Sequence, residues 1–400
     1  MQTFQSNSSR RALTVPALAG GILPIATIVV AGWVLGSSAL ADEGDPSDLS
    51  AALAVLRRAD DVSSDPLRMQ AAYRTASTAG ANSLPTLFDA MSDAKGTLAQ
   101  NWLRAAIDAI VEAQLAAGDE LDAKLLERTA LDDRLAPRAR RTAFELLEAS
   151  DPAARDRLLP QMLDDSSVEL RYDAVQQLLD AAKAAEGERR RSMMQQAFDA
   201  ALDVDQAVAI AGELEKEEVK SDLSDKLGFI RQWHMVGTFD NAGLKGFDAV
   251  YPPEQLRDAG AFDPNASYAG KEGEVRWKSF ETDHRLGWVN VNKALAPEKE
   301  AVAYSAAIVE VGHGGPAQLR VGCKNAPKVW CNGELAGAFE AYHAGSGVDQ
   351  FILPVTLRPG ANLILVKTCQ NEKRESWEQD WDFCLRVTDE LGAAIPFQVK

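Results

Sequence analysis

The sequence is poor in the residue types that most often carry chemistry. It holds four histidines, His234, His284, His313 and His343, and four cysteines, Cys323, Cys331, Cys369 and Cys384. No C-x-x-C pair occurs and no histidine stands at a matching spacing, which argues against a structural or catalytic zinc site. G-x-S-x-G, H-E-x-x-H and glycine-rich phosphate loops are all missing. Nucleophile-elbow hydrolysis, zincin chemistry and phosphate cradling therefore have no sequence basis. No catalytic residue, metal or cofactor is expected. Positive charge is short as well: 42 Lys and Arg face 59 Asp and Glu, for a net charge of −17. Such a chain repels phosphate backbones, so nucleic acid is not an expected partner.

Long apolar stretches are scarce outside the N-terminus. There, Arg10-Arg11 precedes an apolar segment that includes Ile22 to Leu35 and ends at Ala39-Leu40-Ala41, just before Asp42-Glu43. A basic region, an apolar region and an A-x-A site are the anatomy of a secretory signal, expected over residues 1–41. The paired arginines resemble a twin-arginine signal. An uncleaved segment would instead be a membrane anchor, against which Pro16 and Pro24 count. The expected location is therefore periplasmic or extracellular. An even number of cysteines in an exported chain favours disulfides.

From Asp42 to about Ile230 the chain is rich in Ala, Leu, Glu, Gln and Arg, the residues that lose least in a helix. Breaks at Asp65-Pro66, Leu84-Pro85, Gly118-Asp119, Ala136-Pro137 and Asp151-Pro152 follow 10–20 residues of helical pattern, predicting a stack of short antiparallel helices. An internal repeat is visible. Leu84-Pro-Thr-Leu-Phe-Asp89 returns as Leu159-Pro-Gln-Met-Leu-Asp164, and Arg140, Ala143 and Leu147 return 31 residues on as Arg171, Ala174 and Leu178. The segment from Leu158 to Val175 resembles a HEAT-like repeat, which implies an α-solenoid over 42–230 with a face for a protein partner. Arg140 and Arg171 are read as ladder residues bonded to aspartates or carbonyls of adjacent turns, and Arg189 to Arg191 as a solvated face.

At Trp233 the composition changes to aromatic and β-branched residues broken by Gly, Pro and Asn. Eight strand-like runs follow between Glu274 and Val387, with no helical crossover between them, which predicts an antiparallel sandwich. Val329-Trp330-Cys331 running into Asn332-Gly333 is a strong hairpin signal, and Arg358-Pro359-Gly360 feeds another strand. Together with the closing Trp381-Asp-Phe-Cys-Leu-Arg-Val387, these segments resemble the galactose-binding-like jelly roll over most of residues 233–390. The expected class is thus multidomain α + β, with an N-terminal solenoid and a C-terminal sandwich over 231–400. Modules of that family are non-catalytic attachments to sugar-processing and other extracellular proteins. Related modules carry paired aspartates before the Val-Trp-x-Asn-Gly strand, and some bind calcium there. This chain reads Cys323-Lys324-Asn325-Ala326, and a lysine cannot ligate a hard cation. A Cys323–Cys331 bridge with Cys369–Cys384 is plausible, although four cysteines allow three pairings.

Two loops carry aromatics beside polar groups, the combination that suits sugar faces. One holds Tyr342 and His343; the other holds Trp377, Asp380 and Trp381. These five are the candidate ligand-binding residues, with the competing reading that Trp381 opens the last strand and packs in the core. The expected function is binding or scaffolding by a chain that is not an enzyme, its helices meeting protein and its loops meeting glycan or protein. The alternative is a polysaccharide-degrading enzyme, or an accessory subunit of one, using carboxylates that the sequence cannot pair in space.

Overall fold

The computed structural model describes residues 48–61, 65–343 and 345–400; the expected signal over 1–41 lies outside them. The protein is mixed α and β. Its first half is helical: α1 (Leu49–Leu56), α2 (Pro66–Ser77), α3 (Leu84–Asp93), α4 (Thr97–Ala116), α5 (Ala123–Leu131), α6 (Pro137–Ser150), α7 (Ala153–Leu158), α8 (Val168–Ala184), α9 (Gly187–Ala200), α10 (Val204–Lys216) and α11 (Leu223–Leu227). The breaks seen in the sequence are mostly helix starts. Asp48, Asp65, Asp122, Ser167, Asp203 and Asp222 each accept a backbone N–H in the first turn that follows. Pro66, Pro85 and Pro137 sit where the missing N–H is harmless. No described helix is long and apolar enough to cross a membrane.

The strands are β1 (Gln232–Asp240), β2 (Ser267–Gly270), β3 (Gly273–Arg276), β4 (Lys278–Glu281), β5 (Val289–Asn290), β6 (Ala301–Val311), β7 (Gly315–Cys323), β8 (Ala326–Cys331), β9 (Glu334–Ala338), β10 (Phe351–Leu357), β11 (Gly360–Gln370), β12 (Asp382–Thr388) and β13 (Phe397–Val399), with one short helix, α12 (Val291–Ala294). All pairings are antiparallel. One sheet runs β4-β1-β6-β11-β8-β9 with β13 also on β6, another runs β10-β7-β12-β5, and β2-β3 is a separate hairpin. The run expected as one strand over 274–281 is divided: β3 pairs with β2 and β4 with β1. The hairpin at Asn332-Gly333 forms with both residues at positive φ, as a type I′ turn requires. Asn332 is tied into it, its amide donating to Asn362 Oδ1 at 2.8 Å and its Oδ1 accepting from Leu363 N at 3.0 Å.

Four apolar clusters hold these parts together, one of them packing α1 to α8 through residues such as Leu87, Phe88, Leu103, Phe144 and Leu158. Trp233, Leu319, Val329, Ile364, Trp381 and Phe383 belong to a core that both large sheets share. Phe239, Phe247, Trp277 and Tyr304 form another, joined by Tyr251 and Phe262 of the connecting segment before β2. The fourth unites helices and strands, joining Phe198, Ile210 and Leu227 to Phe229 and Cys384, with Leu286, Trp288 and Val348 packed against it. This last layer brings helical and sheet residues together and so creates the boundary at which a cleft opens.

The expected disulfides are not present, and this is a correction: all four cysteines are buried free thiols. Cys369 lies in the layer around Tyr304, whereas Cys384 lies in the layer against the helices, on the other sheet. Cys331 is five residues along β8 from its start, roughly 16 Å by strand rise, so Cys323 at the end of β7 cannot reach it. Burial pushes the thiols of Cys323 and Cys369 up to about 12 and that of Cys331 to about 11, and raises Cys384 as well.

Candidate functional site

The two loops expected to bind ligand are packed against each other rather than opened into a cleft. Trp381 is fully buried and donates from Nε1 to Thr368 Oγ1 at 3.0 Å; its expected ligand role is corrected to a core role, because the sheet needs its bulk between the two layers. His343 is also turned inward. Its Nε2 lies 3.2 Å from Glu378 Oε2 and 3.2 Å from Gln370 Oε1, and its backbone N–H donates to Lys324 O at 2.8 Å. Tyr342 is half-buried, receives a 3.5 Å contact from Asn241 Nδ2, and has its phenol pushed up to about 12 by burial. Asp380 pairs with the ammonium of Lys324, the residue that stands where related modules carry carboxylate. Of the five, Trp377 and Asp380 are exposed, and Trp377 presents its ring to solvent at 75% exposure.

A concavity lies elsewhere, between helices and sheet. It is a cleft of about 870 Å³, inside the range of small-molecule and cofactor sites. Its helical wall comes from α6 (Arg141, Glu145), the first turns of α8 (Val168 to Asp173) and the start of α10 (Asp203 to Gln206). Its sheet wall comes from Arg320 of β7, Arg386 of β12, the loop at Gly347 to Asp349 and the turn at Glu390-Leu391. Val168, Tyr172 and Leu391, all exposed large apolar residues, face it from both sides.

Most charges in these walls are already matched. Arg141 binds Glu145 at 2.8 Å and Asp173 at 2.5 Å. Arg386 is 1% exposed and grips Asp349 with two nitrogens, Nε at 2.7 Å, while its Nη1 donates to Leu227 O and Gly392 O. Arg320 adds a 3.1 Å bond to Asp349. Burial pushes the Asp349 carboxyl up, but Arg386 and Arg320 outweigh it and hold the group below its ordinary value. Arg171 differs. Its Nε donates to Ala200 O at 2.8 Å, and among the described residues no carboxylate reaches its guanidinium within ion-pair distance. Burial lowers its pKa, against the longer-range pull of Asp164, Asp389 and Asp165. Glu169, Asp205 and Glu390 likewise line the cleft without an ion-pair partner among the described residues. What remains for a ligand is one half-buried guanidinium, several carboxylates and an exposed tyrosine ring.

Arg171 bonds a carbonyl of a neighbouring helix end, Ala200 O, as expected of a ladder residue, and it also lines the cleft, which the sequence did not reveal. Arg140 also behaves as a ladder residue, bonding Ala130 O at 3.0 Å and gripping Asp165 with two nitrogens. The difference was visible in the repeat: moving 31 residues on from Asp165 lands on Gln196.

No family model and no curated protein matches this chain. Among solved structures, it is similar to a β-glucuronidase from Ruminococcus gnavus at 11% identity, covering 41% of this chain and 29% of that one with a TM-score of 0.22. It is similar to an α-xylosidase from Xanthomonas citri at 12% identity, covering 41% and 18% with a TM-score of 0.22. A β-glucosidase from Kluyveromyces marxianus matches at 7% identity over 75% of this chain and 37% of that one, with a TM-score of 0.25. The chain thus spans well under half the length of each. The expectation that it is not an enzyme is corrected on this finding, since the matches are enzymes by name. At these TM-scores the likeness carries no argument about fold or reaction.

Proposed function

We propose that this is an exported protein that recognises carbohydrate in the cleft between its helices and its sheets. In this reading the helices are HEAT-like pairs, the second half is a galactose-binding-like jelly roll, and the protein serves polysaccharide processing. The carrying observation is the composition of the cleft. Tyr172 offers an apolar face, Arg171 offers donors, and Glu169, Asp205 and Glu390 offer acceptors. A sugar ring has the complementary make-up, an apolar C–H face rimmed by hydroxyls that both donate and accept. Leu67, Leu98 and Leu115 stay exposed on α2 and α4, which supports a protein partner on the helical side. Glycan-array binding by the full chain tests the proposal. Tyr172→Ala and Arg171→Gln should each lower affinity at least tenfold while Leu67→Ala does not; an array without hits would sink it.

The unpaired carboxylates favour a second reading, hydrolysis within the same cleft. Glycoside cleavage needs two carboxyls, about 5–5.5 Å apart for retention or about 6.5–9.5 Å for inversion. Reducing-end release from any bound polymer, abolished by Glu169→Gln, Asp205→Asn or Glu390→Gln, would establish it. Release that survives all three changes would remove these residues from the chemistry.

A further inference from the structure

We infer that Trp377 is a second carbohydrate contact, remote from the cleft, and that the ligand is a polymer held at both points. Trp377 is the most exposed large apolar residue described, yet the turn that presents it is tightly held. Glu378, its neighbour, is 7% exposed and takes Asn371 Nδ2 at 3.2 Å and His343 Nε2 at 3.2 Å on one carboxylate oxygen. The ammonium of Lys299 donates to Glu378 O, Asn292 Nδ2 donates to Gln379 O at 2.9 Å, and Gln379 Nε2 closes the turn on Glu375 O at 2.8 Å. An indole on so fixed a base loses little further freedom when something stacks on it, which is the condition for useful affinity from a single ring.

The surroundings decide what stacks. Glu372, Lys373, Arg374, Glu375, Ser376, Gln379 and Asp380, its neighbours in the chain, are all exposed. A stable protein interface wants about 800 Å² per partner with charge depleted at its centre, and this patch has one apolar residue in a charged rim. A lipid surface would ask for several apolar side chains on one face. A pyranose ring asks for one aromatic face and a polar border.

The two contacts sit toward opposite ends of β12. Trp377 precedes its first residue, Asp382, whereas the cleft is lined by Arg386 and by Glu390-Leu391 beyond the strand's end. Asp382 to Arg386 alone is roughly 13 Å by strand rise, longer than a disaccharide can bridge while also filling the cleft. Two linked contacts on one polymer raise affinity about 10²–10⁴-fold over either alone.

The inference rests on the cleft reading only for its second contact, and one experiment separates the two. The full chain, labelled with ¹⁵N at its tryptophans, is titrated with mixed-linkage β-glucan, xylan and galactomannan and with the disaccharide of each. The Trp377 indole signal is assigned by Trp377→Phe. The expected result is that at least one polymer shifts that signal in the wild type and in Tyr172→Ala alike, and binds at least about 100-fold tighter than its disaccharide. Trp377→Ala should abolish that margin and leave disaccharide affinity unchanged. A Trp377 signal that no polymer moves, or a margin that survives Trp377→Ala, overturns the inference. A Trp377 shift with no effect of Tyr172→Ala on any ligand overturns the cleft reading instead.

Discussion

Arg140 and Arg171 stand 31 residues apart in the same sequence pattern, and their surroundings give them different work. Arg140 is 3% exposed and its charge is met by Asp165. Removing one member of such a buried pair strands the other, at about 3–5 kcal/mol. Asp165→Ala should therefore lower the unfolding free energy from urea titration by that amount. Arg171 has no ion-pair partner among the described residues to strand, so Arg171→Gln should leave the unfolding free energy within about 1 kcal/mol of the wild type while weakening ligand. A large loss of stability in Arg171→Gln would make it a structural residue after all. The tryptophans divide in the same way. Trp381→Ala should lose about 3–5 kcal/mol because its indole is fully buried, and Trp377→Ala should lie within about 0.5 kcal/mol of the wild type. Equal losses in denaturant melts would contradict the assignment of these two residues.

Among the elements, the joint between α11 and β1 depends on one residue. Gly228 closes α11 at φ 77°, and a Cβ there would lie 2.6 Å from Val387 O. Its carbonyl also accepts from Val387 N at 2.8 Å, fastening the helix end to β12. Gly228→Ala meets both the left-handed backbone and the close carbonyl, so it should destabilise by more than about 1 kcal/mol, measured as a lower melting temperature with unchanged helix content. Helix starts and the Asn332-Gly333 turn were legible in the sequence because capping and positive φ are local demands that a few adjacent residues satisfy. The division of residues 274–281 between two sheets was not, since Val275 faces a partner on β2 and Phe280 one on β1. Strand pairing is a choice among distant segments, and alternation alone does not make it.

At the scale of the molecule, Arg386 reaches from the sheet to the helical half, and Asp349 holds it in place. Asp349 accepts from Arg386 of β12 and Arg320 of β7, while Arg386 also reaches Leu227 O at the end of α11. The Asp349 carboxyl is held below its ordinary value in the folded protein, so the unfolded chain takes up its proton first as pH falls. The stabilisation is complete above the unfolded value of about 3.9 and is lost as pH drops through the folded value. Asp349→Asn should therefore flatten the dependence of stability on pH from about pH 5 downward and lower stability at pH 7; an unchanged acid limb would show that other carboxylates govern it.

The order of helices before strands, the turns and the candidate exposed indole follow from the chain alone, through propensity, capping and alternation acting over a few residues. The free state of the four thiols, the burial of Trp381 and His343, and the cleft around Arg171 and Tyr172 required the tertiary structure. Each of these depends on which layer a side chain enters and on what a segment up to 160 residues away places opposite it, as Arg386 and Leu227 do. Spacing along a chain carries no record of that distance.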